Sequence, residues 1–418
     1  MKIAELYQCY KQHYLVDTDT RKIRKNTIFF ALKGTNFNGN TFAEKAIANG
    51  AKYAVVDEAK YVTSDKMILV NDSLQTLQQL AIYHRKQLKI PFIGITGSNG
   101  KTTSKELIAC VLHKKYTVLA TNGNLNNHIG VPLTVLSVEP NTEIAVIEMG
   151  ANHQKEIAFL CSIAAPDFGY ITNFGKAHLE GFGGISGVIK GKSELYDYLR
   201  VHEQKAFINP NDKLQVEKSA GIATISFSKN IEFVAAKPFV CISYNNTPLT
   251  TNLIGDYNYS NIAIAVSIGQ YFGVNDELIQ EAIQTYTPQN NRSQIIKTTS
   301  NEILLDAYNA NPSSMEVALQ NFSQLQNGPK TVILGDMLEL GIATKQAHQK
   351  IADMTSNLGF EKVYLVGTFF RAVQTKQQVF ESFAQLKKHL KQFPLTNQNI
   401  FIKGSRGMQL ERCLDYID

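Results

Sequence analysis

The sequence predicts an α/β protein of three domains: a small α/β unit over 1–88, a central parallel-sheet unit over 89–293 and a C-terminal α/β unit over 294–418. Three observations carry that prediction. A chain of 418 residues is longer than one hydrophobic core ordinarily serves. Short β-branched and aromatic runs alternate with helical periodicities along most of its length, the pattern of βαβ units. The amide-rich stretch Pro288-Gln289-Asn290-Asn291-Arg292 then interrupts that alternation and reads as a hinge.

In the first unit, 27–32, 53–56 and 67–70 read as strands, and 74–87 as a helix with apolar residues near the 3.6-residue period. The central unit opens with an apolar run over 91–95, a glycine turn and a helix over 103–112. Strand candidates at 144–148 and 168–172 follow, each ending in polar residues where an α/β sheet places its ligands. The alternation over 232–253 predicts a small antiparallel element, and 258–272 a helix. Beyond the hinge, strand candidates at 303–305, 331–334, 362–366 and 400–402 alternate with helices, as in a second parallel sheet.

The composition, 44% hydrophobic and 19% charged, is that of a soluble globular protein. A net charge of +6, not gathered into one basic run, favours a small anionic substrate over nucleic acid. The five cysteines are far apart with no C-x-x-C pair, which argues against a thiolate zinc site or disulfide framework and fits a reducing cytosol. Residues 1–15 carry charges and no apolar core, so no signal peptide is expected there. No segment nears the roughly 18 apolar residues of a membrane span.

The densest chemistry lies in Gly97-Ser98-Asn99-Gly100-Lys101-Thr102-Thr103. Strand, glycine loop and helix in that order let backbone N–H groups and a helix N-terminus cradle phosphate oxygens. Lys101 would reach the terminal phosphates and the Thr102 hydroxyl would ligate Mg²⁺. The strict P-loop pattern is not met, since Ile95 stands at its first glycine. The bland alternative, a glycine turn beside a chance Lys-Thr pair, is disfavoured by the flanking strand and helix.

Four further blocks add weight. Thr121 to Pro132, rich in Asn and Gly, makes either a solvated loop or a hydrogen-bonding loop for a polar substrate, through Asn124, Asn126 and Asn127. Glu148, ending a buried strand, can hold Mg²⁺ or cap the next helix. His178 could ligate a second metal and Lys192 act as a base or phosphate contact, or the two are an ordinary structural histidine and a solvated lysine. In the last unit Pro312 would start a helix capped by Asn311, leaving Asp306 and Asn309 where such sheets bind ligands, and the turn holding Ser405 repeats that logic, with Lys403 and Arg406 able to meet an anionic group. Either run is also an ordinary βα turn.

Together these blocks resemble the Mur ligases, ATP-dependent enzymes that build the peptide stem of peptidoglycan precursors, over essentially the whole chain. The loop Gly97-x-x-Gly100-Lys101-Thr102-Thr103 is shared across that superfamily, folylpolyglutamate synthases included. The blocks from Thr121 to Pro132, Asp306 to Met315, Leu334 to Gly341 and Lys403 to Arg406 are narrower. They look like the branch that joins D-alanyl-D-alanine to UDP-N-acetylmuramoyl-tripeptide.

The resemblance implies three-domain Mur ligase architecture: a UDP-muramoyl-peptide-binding α/β domain, a P-loop ATPase domain and a Rossmann-like domain. It implies that Gly97, Ser98, Asn99, Gly100, Lys101 and Thr103 bind ATP phosphates, while Thr102 and Glu148 hold a first Mg²⁺. His178, with Lys192 as its carbamate, would hold a second, making Lys101, Lys192 and His178 the catalytic set. Asn258 would contact adenine, and Arg292 and Asp306 the γ-phosphate and ribose. Thr20, Arg21 and Lys33 would meet the uridine diphosphate, and Asn124, Asn126, Asn127, Asn309, Asn311, Lys403, Ser405 and Arg406 the remaining substrate groups. A cytoplasmic monomer engaging neither nucleic acid nor membrane is expected. Rival classes are another amide ligase sharing only the loop, a silent nucleotide-binding scaffold, which should have lost Lys101, Glu148 or Lys192, and a P-loop motor.

Overall fold

The computed structural model describes residues 2–289, 291–325 and 328–417. At its centre lies a six-stranded, wholly parallel sheet in the order Ala223–Ser226, Lys205–Ile208, Phe168–Ile171, Phe92–Thr96, Ile144–Glu148, Val118–Ala120. From Phe92–Thr96 the chain runs out to the edge strand Val118–Ala120 and returns to Ile144–Glu148, beside the first strand. It then crosses to Phe168–Ile171, on that strand's other side. The reversal opens a crevice at the strands' carboxyl ends, where doubly wound sheets bind ligands.

Both faces of this sheet are covered, which is why its inner strands are continuous apolar runs rather than alternating ones. Ile93 and Ile95 pack against helices Lys101–Leu112 and Asn258–Tyr271, through Leu107, Ile108, Val111 and Ile262. Phe92 and Ile147 face the opposite layer, with Leu77, Leu160 and Leu195. The antiparallel element expected at 232–253 is a three-stranded sheet, Ile231–Ala236, Phe239–Tyr244 and Thr247–Ile254, with Val240, Ile242 and Tyr244 turned into the core.

The N-terminal unit has a parallel sheet ordered Val16–Asp17, Ile28–Phe30, Tyr53–Val56, Met67–Leu69. Its last helix, Ser73–Gln87, starts at an Asp72 cap that accepts from the Gln75 N–H. That helix leans on the central unit. Leu77 and Leu80 share one core with Val131, Val135, Ile157 and Leu160. Arg85 closes the seam, donating from Nε to the Ala164 carbonyl at 2.9 Å and from Nη2 to the Ala165 carbonyl at 2.8 Å and Asp167 at 2.9 Å. Its guanidinium lies 4.0 Å over the Phe92 ring.

The C-terminal unit holds a six-stranded sheet ordered Gln294–Lys297, Glu302–Asp306, Asn399–Lys403, Lys330–Gly335, Lys362–Val366, Gln378–Phe380. Gln294–Lys297 pairs antiparallel and the rest are parallel. The four expected strands form its middle; both edge strands went unpredicted. Asn311 caps helix Pro312–Ser323 through the Ser314 N–H at 2.9 Å, with Pro312 in the first turn as expected. Of the expected hinge, Asn290 lies outside the described residues and Asn291 has a φ of +58°; Ser293, just beyond it, has one of +47°. The C-terminal unit is seated on the central one: Asn311 Nδ2 donates to Asn99 Oδ1 at 2.8 Å, and His178 Nδ1 pairs with Glu339. Among the described residues no helix is long and apolar enough to cross a membrane.

Candidate active site

Between the central and C-terminal units lies a cleft of about 800 Å³, with the glycine loop as its floor. Gly97 and Gly100 have φ of +139° and +79°, and space as well as conformation demands glycine. A Cβ on Gly97 would fall 2.0 Å from Thr172 Oγ1, and one on Gly100 2.7 Å from Asn261 Oδ1. The loop is held open from the neighbouring strand end. Thr172 Oγ1 and Asn173 Nδ2 both donate to the Asn99 carbonyl, at 2.6 and 2.9 Å, and Asn173 Oδ1 accepts from the Asn99 N–H. Lys101 folds back, its Nζ donating to the Gly97 and Ser98 carbonyls at 2.7 and 3.3 Å. Burial, opposed by Glu148 and reinforced by the positive charge of Arg292, pulls Lys101 down to about 8. Such a cation gains charge stabilisation from any anion entering the loop.

Beside it stands a hydroxyl–carboxylate pair. Thr102 Oγ1 donates to Glu148 Oε2 at 2.8 Å, while Asn126 Nδ2 donates to Oε1 at 2.7 Å. Glu148 is 1% exposed, and its backbone N–H is satisfied by Thr121 Oγ1. Of the two sequence alternatives for Glu148, ligand or helix cap, the geometry favours ligand. Its oxygens face the loop threonine, and the next helix, Glu156–Ala164, begins eight residues later. A hard cation between Thr102 and Glu148 would find two oxygen donors of the kind Mg²⁺ takes.

The remaining metal candidates are placed differently. His178 lines the cleft, with its Nδ1 taken by Glu339 of the C-terminal unit. Lys192 is 1% exposed and stands behind the cleft wall, donating to the Ala151 carbonyl at 3.1 Å beneath the Phe182 ring. Burial, together with the Lys101 charge, holds its amine well below the ordinary lysine value. This is not the solvated lysine of the bland reading. Among the described residues no cluster of three His, Cys, Asp or Glu could hold a metal unaided.

From the C-terminal side, Arg292, Asp306, Asn309, Asn311 and Lys403 reach the cleft. Asp306 accepts from Lys403 Nζ and, at 3.2 Å, from the Ser293 N–H. Lys403 also donates to the Asn309 carbonyl at 3.2 Å. Arg292 stacks on Tyr308, and its buried Nε has no partner among the described residues. Asn258 lines the cleft too, bonded to the Ile254 carbonyl and Asn261. An orphaned donor on Arg292, Lys101 with no ion-pair partner among the described residues, and a glycine cradle together fit a polyphosphate.

Other predicted residues fall elsewhere. Ser98, Asn99, Gly100, Thr103, Asn126 and Asn127 line the cleft, whereas Gly97, Asn124, Ser405 and Arg406 do not. Ser405 accepts from the Leu338 N–H and donates to the Ala310 carbonyl, and Arg406 pairs with Glu411, so both brace the C-terminal unit. Thr20, Arg21 and Lys33 stay on the N-terminal unit: Arg21 grips Asp19, Lys33 pairs with Asp57 and Glu58, and the Thr20 carbonyl accepts from Asn49. Sequence reasoning gave no role to Asn173, Asn261, Tyr308 or Glu339. Tyr308 and Glu339 lie within blocks it quoted, Asn173 just past the strand candidate 168–172 and Asn261 in the helix 258–272, but spacing cannot tell which polar residue turns inward.

Residues 13–97, 95–269 and 291–406 match models of the Mur ligase family catalytic domain, the Mur ligase middle domain and the Mur ligase glutamate ligase domain. The UDP-N-acetylmuramoyl-tripeptide–D-alanyl-D-alanine ligases of Bacillus subtilis and Escherichia coli are 35% and 34% identical, each match covering 96% of this chain and 92% of theirs. MurF from Acinetobacter baumannii superposes with a TM-score of 0.84 at 28% identity, covering 99% of this chain and 97% of that one. MurF ligase from Thermotoga maritima, in complex with ADP, superposes with a TM-score of 0.82 at 26% identity over 96% of both chains.

Proposed function

The chain belongs to the Mur ligase family, and from that premise we propose that it joins D-alanyl-D-alanine to UDP-N-acetylmuramoyl-tripeptide at the expense of ATP. The observation that carries the reading is the cradle with Thr102 and Glu148 paired beside it and Lys101 and Arg292 facing one cleft. The tripeptide's terminal carboxylate attacks the γ-phosphorus of ATP, breaking the bond to ADP and giving an acyl phosphate. The amine of D-alanyl-D-alanine then attacks the carbonyl carbon, losing a proton as inorganic phosphate leaves.

A carboxylate and a triphosphate repel, so the first step needs positive charge placed before reaction. Lys101 provides it from the glycine loop and Arg292 from the strap that leads into the C-terminal unit. Thr102 with Glu148, and His178 with Lys192 as its carbamate, would each hold a Mg²⁺, whose charge offsets that of the phosphates. The depressed Lys192 amine suits carbamate formation, since a neutral Nζ adds to carbon dioxide and releases a proton. The seated C-terminal unit shields the acyl phosphate from water. Asn258 takes the adenine. The N-terminal unit, with Thr20, Arg21 and Lys33, receives the nucleotide-sugar end, and the protein works as a cytoplasmic monomer.

ADP release in the presence of magnesium, with UDP-muramoyl-tripeptide and with or without D-alanyl-D-alanine, tests this. Sustained release is expected only with both. No ATP consumption with both present would overturn the assignment.

A further inference from the structure

Tyr308 enters no step described so far, yet its position is over-determined. Its ring carries the Arg292 guanidinium 3.8 Å from the centroid, with that of Arg406 at 5.8 Å. Arg406 is itself anchored by Glu411 at 2.8 Å. The backbones are tied as well: the Tyr308 N–H donates to the Asn291 carbonyl at 3.3 Å, and two residues on, the Ser293 N–H donates to Asp306. The strap 291–293, with Asn291 and Ser293 both in the left-handed region, is thus stapled to the turn after Glu302–Asp306 on either side of Arg292. Left-handed non-glycine residues persist where their surroundings hold them, and such sites are enriched at ligand clamps.

A guanidinium lying against a ring keeps its plane parallel to that ring and directs its N–H groups sideways. Here Arg292 and Tyr308 both line the cleft, and the Arg292 Nε is buried with no partner among the described residues. A buried donor is costly to leave unmade, so the stack holds ready a donor that a cleft occupant would satisfy. Arg292 also lies close enough to Lys101 for its charge to depress the lysine.

We infer that Tyr308 is a positioning residue: it fixes the plane of Arg292 on the C-terminal unit, so that seating this unit delivers a pre-oriented guanidinium to the anion held by the glycine loop. This rests on the ligase reading for the identity of that anion as the γ-phosphate. What Tyr308 contributes is its aromatic face, so phenylalanine should replace it and an aliphatic residue should not.

The test compares Tyr308→Phe, Tyr308→Leu, Tyr308→Met, Arg292→Ala and the double variant Arg292→Ala/Tyr308→Leu. The first readout is the ratio of affinities for a non-hydrolysable ATP analogue and for ADP, which needs no turnover. Tyr308→Phe should keep that ratio within twofold, while Tyr308→Leu, or Tyr308→Met if leucine lowers the melting temperature, should reduce it at least fivefold, as should Arg292→Ala. The second readout is kcat for ligation, where the double variant should lie within twofold of Arg292→Ala because both act through one guanidinium. An unchanged ratio in the aliphatic variants, or a double variant whose loss is the product of the single losses, would overturn the inference. A wild type that binds both nucleotides but ligates nothing would instead remove the ligase reading and leave the ratio to decide the role of Tyr308.

Discussion

Two lysines show how one residue type is put to opposite uses by its surroundings. Lys101 rests on loop carbonyls with no ion-pair partner among the described residues, which leaves its charge for a ligand. Lys101→Ala should therefore lower kcat by at least a hundredfold, about 3 kcal/mol of transition-state stabilisation, with little change in melting temperature; ATP turnover measures this, and near-normal turnover would refute the loop assignment. Lys192 is shut away with a depressed amine. Lys192→Ala should be inactive and partly restored by acetate, a small carboxylate able to enter the space the side chain vacates. Full activity without acetate would remove Lys192 from the metal site. Lys101 was legible because its motif states geometry directly: strand, glycines, helix. Tyr308 was not, because a stacking role depends on which strap folds over the ring, and no spacing rule records that.

At the scale of elements, the helix Pro312–Ser323 joins stability to the site. Asn311 caps it with Oδ1 and reaches the glycine loop with Nδ2. Asn311→Ala should cost about 1 kcal/mol of stability through the lost cap, read as a lower urea midpoint. Asn311→Asp, which retains the capping oxygen but places a charge against Asn99, should keep the midpoint better and weaken nucleotide binding more. If both variants bind ATP normally, the bond to Asn99 has no part in the site. Inner strands such as Phe92–Thr96 and Lys330–Gly335 were legible, since burial on both faces leaves an uninterrupted apolar run. Val118–Ala120, Ala223–Ser226 and Gln378–Phe380 lie at sheet edges, where one flank faces solvent and polar residues dilute the signal.

Over the whole molecule, the sequence placed a first boundary at 88, but packing runs straight through it. Helix Ser73–Gln87 shares a core with the central unit, and Arg85 bonds to the turn around Ala164 and Asp167. Arg85→Leu should destabilise the protein by about 2 kcal/mol, since Asp167 and the carbonyls of Leu88, Ala164 and Ala165 lose their donor. Calorimetry should then show the N-terminal and central units still melting together; separate transitions would mean that they do not cooperate. Sequence periodicity marks where elements begin and end, but it carries no information on which neighbouring layer claims an apolar face.

The bond between Asn99 and Asn311 has a kinetic corollary. One of its partners sits inside the loop that cradles the phosphates, so escape of spent nucleotide and lifting of the C-terminal unit become a single event. Large-body motion of that kind is damped by the surrounding liquid, so turnover should slow as glycerol thickens the buffer, while a variant already freed at Asn311 should feel the added drag less.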